Sequence, residues 1–562
     1  MEVQIIRICK YILILTFLFS SLSSKTFSQD RIVKSKLDTK VFRSVSGVYL
    51  SWLNAKKSGN YINASNFLAH LKEFIKDDDV INDAFSASLN YGDWETILFF
   101  AQKIQKKDYK NFFANLVLST DQYLNKNYKE SERIIKLLDF EEIDTNFKHI
   151  ILGWISYGNN QDSMVFSKID QKSFDPKNCI PMNCLHNAFV KSLKGDKEGS
   201  EKIFNSMSKL KSVSYRILEV LFVHYVKSEN MKMAKEIYNK LKNLGLTVES
   251  FEKTKEKLYL FSPVEKKEHG LAEIYFNIAG WFYENKMYEF STFFSNIGLR
   301  IRPDFTSLKF LLANNYEKLN YYRLLNQFLD EFDQNSIYNL KLSKIKLKSL
   351  NELKAEKKII ETLTNLIIKY PDNNEFKLFL ADSLRNKGEH DKSIVLYDEI
   401  IRNLISVDTQ HWNIFYSRGI SYERTKQWNL AENDFMKALE LNPDAPYVLN
   451  YLGYSWLERG VKLKKALSFI QMAFEIKPND AYITDSLGWA YYLLGNYEKS
   501  IKFLENAIKI LPSDPTLNDH LGDVYWKVGR RSEALSQWKR VLLFDPEFEL
   551  KKKVEYKISY GL

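Results

Sequence analysis

Apolar residues recur every three or four positions along most of the chain, as in ANLVLSTDQYLNKNYKESERIIKLL from Ala114. This period matches one face of an α-helix and predicts amphipathic helices. Turn-like pairs such as GN, GD and KN interrupt it every few tens of residues. Glycine and proline are sparse, at 20 and 11 of 562 residues, which disfavours a fold rich in strands and turns. The pattern therefore predicts an all-α protein built from short helices.

The C-terminal third contains an internal repeat. The segment LGWAYYLLGNYEKS, which begins at Leu487, returns 34 residues later as LGDVYWKVGRRSEA. Each unit has small or apolar residues near positions 8, 20 and 27, where two antiparallel helices approach closely, and proline near position 32. Four consecutive units fit this pattern, one of them with an extra residue in the turn GVKLKK; they begin at Trp412, Pro446, Ala481 and Pro515.

A unit of two helices with these positions is the tetratricopeptide (TPR) pattern. It predicts a right-handed superhelical solenoid of helix-turn-helix repeats, in which each unit packs on its neighbours. Weaker units continue upstream, and FSPVEKKEHG, residues 261–270, is the best candidate for a break. The predicted organisation is a signal peptide at 1–28, degenerate helical repeats at 29–262, degenerate TPR repeats at 271–405, four well-formed TPR repeats at 412–547, and a C-terminal capping helix at 548–562.

The first residues have the layout of a secretory signal peptide. Arg7 and Lys10 precede an apolar run at 11–22, and small residues follow it before Gln29. The run is roughly half the ~20 residues that a transmembrane helix needs, which favours a cleaved signal over an uncleaved anchor. Cys9 precedes the run, so the sequence offers no lipoprotein cysteine after it. We expect export, to the bacterial periplasm, of a chain without an integral membrane segment.

The sequence offers no catalytic, phosphate-binding or zinc-protease motif. The net charge of +11 is spread over alternating lysines and acids, which indicates solvated helix faces and not a nucleic-acid footprint. His520 lies close to Asp519 and Asp523, but its local sequence lacks a nucleophile, and we interpret it as a structural histidine. The pattern predicts a protein that is not an enzyme and uses no metal or cofactor.

Two cysteines remain after signal removal, Cys179 and Cys184, on either side of Pro181. In an exported protein such a close pair forms a disulfide bond or stays as two partly buried thiols, and the sequence leaves both open. A metal site that also used His186 would lack a fourth ligand. The spacing also differs from the C-x-x-C of redox-active pairs.

The first helix of each well-formed repeat is expected to face a concave groove through positions 2, 5, 9 and 12. These positions carry aromatic rings, amides and carboxylates, which suit an extended peptide or a basic side chain. The alternative is that several of the rings pack only between adjacent repeats. The predicted partner-binding residues are Asn450, Tyr454, Tyr482, Asp485, Trp489, Tyr492, Asp519, Asp523 and Trp526.

The run from Asp480 to Trp538 carries a D-S-x-G-W repeat followed by an H-L-G-x-x-x-W repeat. It resembles a class of bacterial envelope TPR proteins, and GVYLSWLNAKKSGNYINASNF near the N-terminus is similar to their first repeats. Some members of that class are outer-membrane lipoproteins that bring a carboxyl-terminal processing protease together with its cell-wall hydrolase substrates. The resemblance implies an adaptor role, from which the missing lipoprotein cysteine is a departure.

The leading hypothesis is a non-catalytic scaffold or adaptor that binds envelope proteins or peptides through the groove, with a second surface on the N-terminal repeats. A general scaffold for envelope or polysaccharide-export assembly is the alternative in the same class. A remote alternative is an enzyme, which predicts a deep pocket with convergent titratable groups between residues 41 and 262. The sequence does not indicate an oligomeric state.

Overall fold

The computed structural model describes residues 44–91, 94–140, 143, 145–161, 180–210, 213–246, 250–259, 263–332 and 336–562. Every regular element in these ranges is helical, which confirms the predicted all-α fold. Consecutive helices pack in pairs joined by short turns, the architecture of a helical repeat solenoid. Across the same ranges, no helix is both long enough and apolar enough to span a bilayer. The chain divides between Ala355 and Glu356 into an N-terminal unit and a C-terminal unit.

The helices are numbered in chain order within the described ranges. Those of the N-terminal unit are α1 (Val45–Lys57), α2 (Tyr61–Leu71), α3 (Asp78–Tyr91), α4 (Trp94–Lys107), α5 (Phe112–Leu124), α6 (Tyr128–Leu137), α7 (Thr145–Gly158), α8 (Pro181–Leu193), α9 (Lys197–Met207), α10 (Tyr215–Lys227), α11 (Met231–Asn243), α12 (Phe251–Tyr259), α13 (Lys267–Glu284), α14 (Tyr288–Ile301), α15 (Thr306–Lys318), α16 (Tyr322–Asp330) and α17 (Asn339–Glu352). Those of the C-terminal unit are α18 (Glu356–Lys369), α19 (Asn374–Asn386), α20 (His390–Arg402), α21 (Trp412–Arg424), α22 (Trp428–Leu441), α23 (Pro446–Glu458), α24 (Leu463–Ile476), α25 (Ala481–Leu493), α26 (Tyr497–Ile510), α27 (Pro515–Lys527), α28 (Arg531–Leu543) and α29 (Phe548–Tyr560).

The first helices of the four predicted repeats, α21, α23, α25 and α27, start at the residues that the repeat pattern indicates. The glycine at position 8 of each packs on the second helix of the same repeat. A β-carbon added to Gly522 would lie 2.4 Å from Trp538 Nε1, and one added to Gly453 would lie 2.9 Å from the backbone oxygen of Ala466. These glycines therefore set the distance between the two helices of a repeat.

In the N-terminal unit, helices that are far apart in sequence pack together. Helix α13 contacts α7 and α8, α14 contacts α3 and α5, and α16 contacts α2. The Tyr316 hydroxyl donates to the backbone oxygen of Asn90 at 3.1 Å, which joins residues 226 positions apart. The described part of the predicted break at 261–270 lies inside this packing, because a β-carbon on Gly270 would lie 2.3 Å from the Trp154 indole. The structural division at 355/356 instead falls within the predicted block 271–405.

A buried ionic cluster joins α10 to α13 and α15. Arg216 Nη1 lies 3.2 Å from Glu219 Oε2, and Arg216 Nε lies 3.1 Å from Glu273 Oε2. Glu219 also accepts hydrogen bonds from Ser307 Oγ, at 2.6 Å, and from the Tyr338 hydroxyl. Burial opposes the charge of Arg216, but the two glutamates outweigh it and raise its pKa, whereas burial raises the pKa of Glu219. The cluster is closed to solvent.

Candidate protein-binding groove

The predicted groove residues lie on α23, α25 and α27 and differ in exposure. Tyr482 is the most open of the nine, with 57% of its surface exposed. Three carboxylates, those of Asp485, Asp519 and Asp523, are buried. The half-buried members are Asn450, Tyr454, Trp489, Tyr492 and Trp526. Among the nine predicted residues, the rings therefore stay at least partly exposed, whereas these carboxylates are buried.

Two tyrosines link successive repeats along the groove. The hydroxyl of Tyr447 donates to Asp480 Oδ2 at 3.4 Å, and that of Tyr482 donates to Asp514 Oδ2 at 3.2 Å. Each aspartate is the N-cap of the following first helix, and its other oxygen accepts two backbone N–H groups. Tyr447 is exposed and belongs to the same surface. It stands at position 2 of its repeat, which is one of the positions expected to face the groove, although it is not among the nine predicted residues.

Trp489 is the centre of an aromatic cluster. Its ring stacks on His520, with centroids 4.1 Å apart, and on Tyr492, with centroids 4.6 Å apart. Its Nε1 donates to Glu458 Oε1 at 2.9 Å. His520 Nδ1 in turn lies 2.9 Å from Asp485 Oδ2. These contacts fix the indole in one orientation while part of it stays exposed.

Helix α23 adds polar groups beside this cluster. Burial, followed by the charges of Glu458 and Asp485, raises the pKa of Tyr454, so its hydroxyl stays protonated at neutral pH. Asn450, one turn earlier, has a buried Oδ1 without a hydrogen-bond partner. Glu458 is missing from the prediction because it stands at position 13, one residue beyond the positions assigned to the groove.

We expect the His520 contact to lose its stabilising effect as pH rises. Burial opposes the charge of His520, but Asp485, with smaller contributions from Asp519 and Asp523, outweighs it and raises the pKa. A raised folded-state pKa gives stability that is complete below the unfolded-state pKa and is lost as pH rises through the folded-state pKa. Urea unfolding of wild type and His520→Gln between about pH 5.5 and about pH 9 should show a shrinking difference in unfolding free energy. A difference that is constant or grows with pH would contradict this assignment.

Two of the predicted groove residues, Asp519 and Asp523, are covered by helix α29. Lys557 of α29 places Nζ 2.7 to 2.9 Å from the carboxylate oxygens of Asp519 and Asp523. Gly561 packs on the Trp526 ring. The sequence pattern predicts a helix here but not its position, because periodicity defines the apolar face of a helix and not the surface on which it packs. Partner binding at these three groove residues stays a prediction.

The cysteine region is described only in part. Cys184 is buried in α8 and forms a disulfide bond. Cys179, like residues 1–28, lies outside the described residues, so its possible pairing with Cys184 stays open and the signal peptide stays a prediction. His186 accepts a hydrogen bond from Trp154 Nε1 at 2.9 Å, and burial lowers its pKa to about 3. It is a hydrogen-bonded core residue, and within the described ranges no His, Cys, Asp or Glu cluster could hold a metal ion.

A cavity of about 240 Å³ lies in the N-terminal unit. Its lining is largely apolar and comprises Leu89, Trp94, Ile97, Asn296, Ile297, Leu299, Arg300 and Pro303. The titratable groups that converge in this unit lie elsewhere, around Arg216, and are fully buried against one another. This cavity therefore lacks the convergent titratable groups that the enzyme alternative predicts.

Two segments of the C-terminal unit match family models of repeats. Residues 413–445 match the model described as tetratricopeptide repeat, and residues 488–529 match the one described as TPR repeat. The chain therefore contains tetratricopeptide repeats, which serve as protein-binding scaffolds.

Relatives cover only part of the chain. BBSome complex member BBS4 of Bos taurus is 31% identical over 121 residues, which is 21% of this chain and 22% of that protein. TPR repeat-containing protein PA4667 of Pseudomonas aeruginosa is 27% identical over 118 residues, 21% of this chain and 19% of that protein. The matches thus span about a fifth of the length of these relatives. Among solved structures, the thermophilic TPR protein TTC0263 of Thermus thermophilus is 21% identical, with a TM-score of 0.30, over 33% of this chain and 99% of that one.

Proposed function

We propose that this chain is an exported, non-catalytic adaptor that holds a segment of a partner protein in the groove of its C-terminal unit. The observation that carries the proposal is the cluster around Trp489. Its half-exposed indole is held by Glu458 and His520 on two other helices, α23 and α27. A ring fixed in this way loses little conformational entropy when it contacts a partner.

The exposed tyrosines extend this surface along the array. Tyr447 and Tyr482 lie one repeat apart, and each offers a large ring with a polar tip. Alternating rings and amides suit an extended segment, because its side chains pack on the rings while its backbone pairs with polar groups. We expect a few of these rings, Trp489 first, to supply most of the binding free energy.

The finer proposal is a periplasmic adaptor that links a carboxyl-terminal processing protease to cell-wall hydrolase substrates. The signal-peptide layout of residues 1–28 and the resemblance of the D-S-x-G-W and H-L-G-x-x-x-W repeats support it. An adaptor of this kind needs a second surface, which we assign to the N-terminal unit.

Site-specific photo-crosslinking in a cell-envelope fraction tests both levels of the proposal. A benzophenone amino acid at position 482 places the probe on the most exposed groove residue. We expect it to capture a processing protease or a cell-wall hydrolase, identified by mass spectrometry. Trp489→Ala should reduce the yield about tenfold, because it removes the fixed ring at the centre of the groove.

Trp428→Ala is the matched control. Trp428 is also half-buried and contacts the Arg459 guanidinium at 4.0 Å, but it lies on the second helix of its repeat. We expect its crosslinking yield to equal that of wild type. An undiminished yield in a folded Trp489→Ala variant would exclude the groove, and capture of export-machinery proteins instead would support the general scaffold.

A further inference from the structure

Helix α29 packs on the last repeat through an apolar stripe and through one charged side chain. Val554 is its one fully buried side chain, and Leu550 and Ile558 are half-buried. Its opposite face is open, with Phe548 66% and Tyr560 77% exposed. A helix that caps a solenoid buries an apolar stripe, and α29 adds to its own stripe a charged side chain that contacts the predicted groove residues.

That side chain is Lys557, and its site is built from groove positions 5 and 9 of the last repeat. Its ammonium contacts all four oxygens of Asp519 and Asp523, which are 7% and 6% exposed. Asp523 also accepts a hydrogen bond from Trp538 Nε1 at 3.0 Å, which fixes the carboxylate. Two buried carboxylates thus face one ammonium, and the site requires a cation.

The end of α29 completes the fit. Gly561 lies on Trp526, the residue at groove position 12, and a β-carbon there would be 2.3 Å from Trp526 Cζ2. The φ angle of Gly561 is +86°, in the region that favours glycine. The surface therefore selects a lysine and, four residues later, a residue without a side chain.

We infer that Asp519, Asp523 and Trp526 form a binding surface for a lysine-bearing helix, which α29 occupies in the free chain and which a basic helical segment of a partner takes over. The inference rests on the proposed binding role of the groove. It adds the chemistry of the partner segment that binds at the C-terminal end of the groove. Because α29 is tethered, it competes at an effective concentration of about millimolar, so the surface opens only to a segment that matches it well.

The test uses the full chain and a fluorescent peptide of residues 548–562, FELKKKVEYKISYGL. Lys557→Gln removes the ammonium of the tethered helix and should let the peptide bind about tenfold more tightly than it binds wild type. A peptide that carries the same Lys557→Gln change should lose this gain. Equal binding of the native peptide to wild type and variant, or binding that does not need its lysine, would overturn the inference.

Two further variants sharpen the result. Lys552→Gln is the control, because Lys552 lies on the open face over the Phe548 ring, 4.2 Å from its centroid, and its loss should leave peptide binding as in wild type. Gly561→Ala keeps Lys557 but weakens the packing of α29 on the Trp526 ring, so it should also increase peptide binding. This variant keeps the test possible if Lys557→Gln fails to fold. Crosslinking at position 482 tests the proposed function separately. If crosslinking to a partner is observed but the peptide does not bind more tightly to the variants, this inference is overturned and the proposed function still stands.

Discussion

Replacing Arg216 by methionine should lower the unfolding free energy of the N-terminal unit by about 3–5 kcal/mol. Arg216 lies between Glu219 and Glu273, and all three side chains are at most 2% exposed. Arg302, 3.7 Å from Glu273, would remain as the nearby cation. The loss is large because the substitution leaves buried carboxylates without their main counter-charge. Urea unfolding with hydrogen exchange resolved by peptide would locate the loss in the N-terminal unit.

Two comparisons separate this charge effect from lost packing. Arg323→Met, on the exposed side of α16, should change stability by less than about 0.5 kcal/mol. Combining Arg216→Met with Glu219→Gln and Glu273→Gln should recover part of the loss, because no carboxylate then stays unpaired. The loss in Arg216→Met should also shrink at acidic pH, because burial raises the pKa of Glu219, which then takes up a proton. A loss that is the same in the single and triple variants would contradict the ionic explanation.

Substituting Gly453 by alanine should destabilise the C-terminal unit by about 2 kcal/mol. The added β-carbon would lie 2.9 Å from the backbone oxygen of Ala466 and 2.8 Å from Ile470 Cγ1. A backbone oxygen cannot move by changing rotamer, so α23 and α24 must separate. Thermal and urea unfolding of the full chain would measure the loss.

Gly280→Ala is the opposing control for this prediction. Gly280 also lies inside a helix, α13, but a β-carbon there meets no heavy atom within 4 Å. The same substitution should therefore stabilise the chain by about 1 kcal/mol through helix propensity. A gain of stability in Gly453→Ala would show that close approach does not limit the repeat.

The well-formed repeats could be predicted because their determinants are local. Gly453 and Gly522 recur at the same position of their repeats and each packs within its own repeat, so spacing alone carries the information. The helix starts follow from the same register, as at Ala481 and Pro515.

The packing of the N-terminal unit could not be predicted from spacing. The contact of Tyr316 with Asn90 and the pairing of Arg216 with Glu273 join helices that no repeat register relates. The contact of Lys557 with Asp519 and Asp523 could not be predicted for the same reason. In the sequence of their own helix, the two aspartates occupy positions expected to be open to a partner. Local periodicity specifies which face of a helix is buried and is silent on its distant partner.

The tyrosine contacts between repeats give the array of the C-terminal unit a direction. Tyr447 and Tyr482 each belong to one repeat and contact the capping carboxylate of the following one. When a repeat unfolds, the N-cap aspartate of the following repeat loses its hydrogen bond from the tyrosine. The N-cap aspartate of the preceding repeat keeps its contacts. Local unfolding should therefore spread more readily toward the C-terminus than toward the N-terminus.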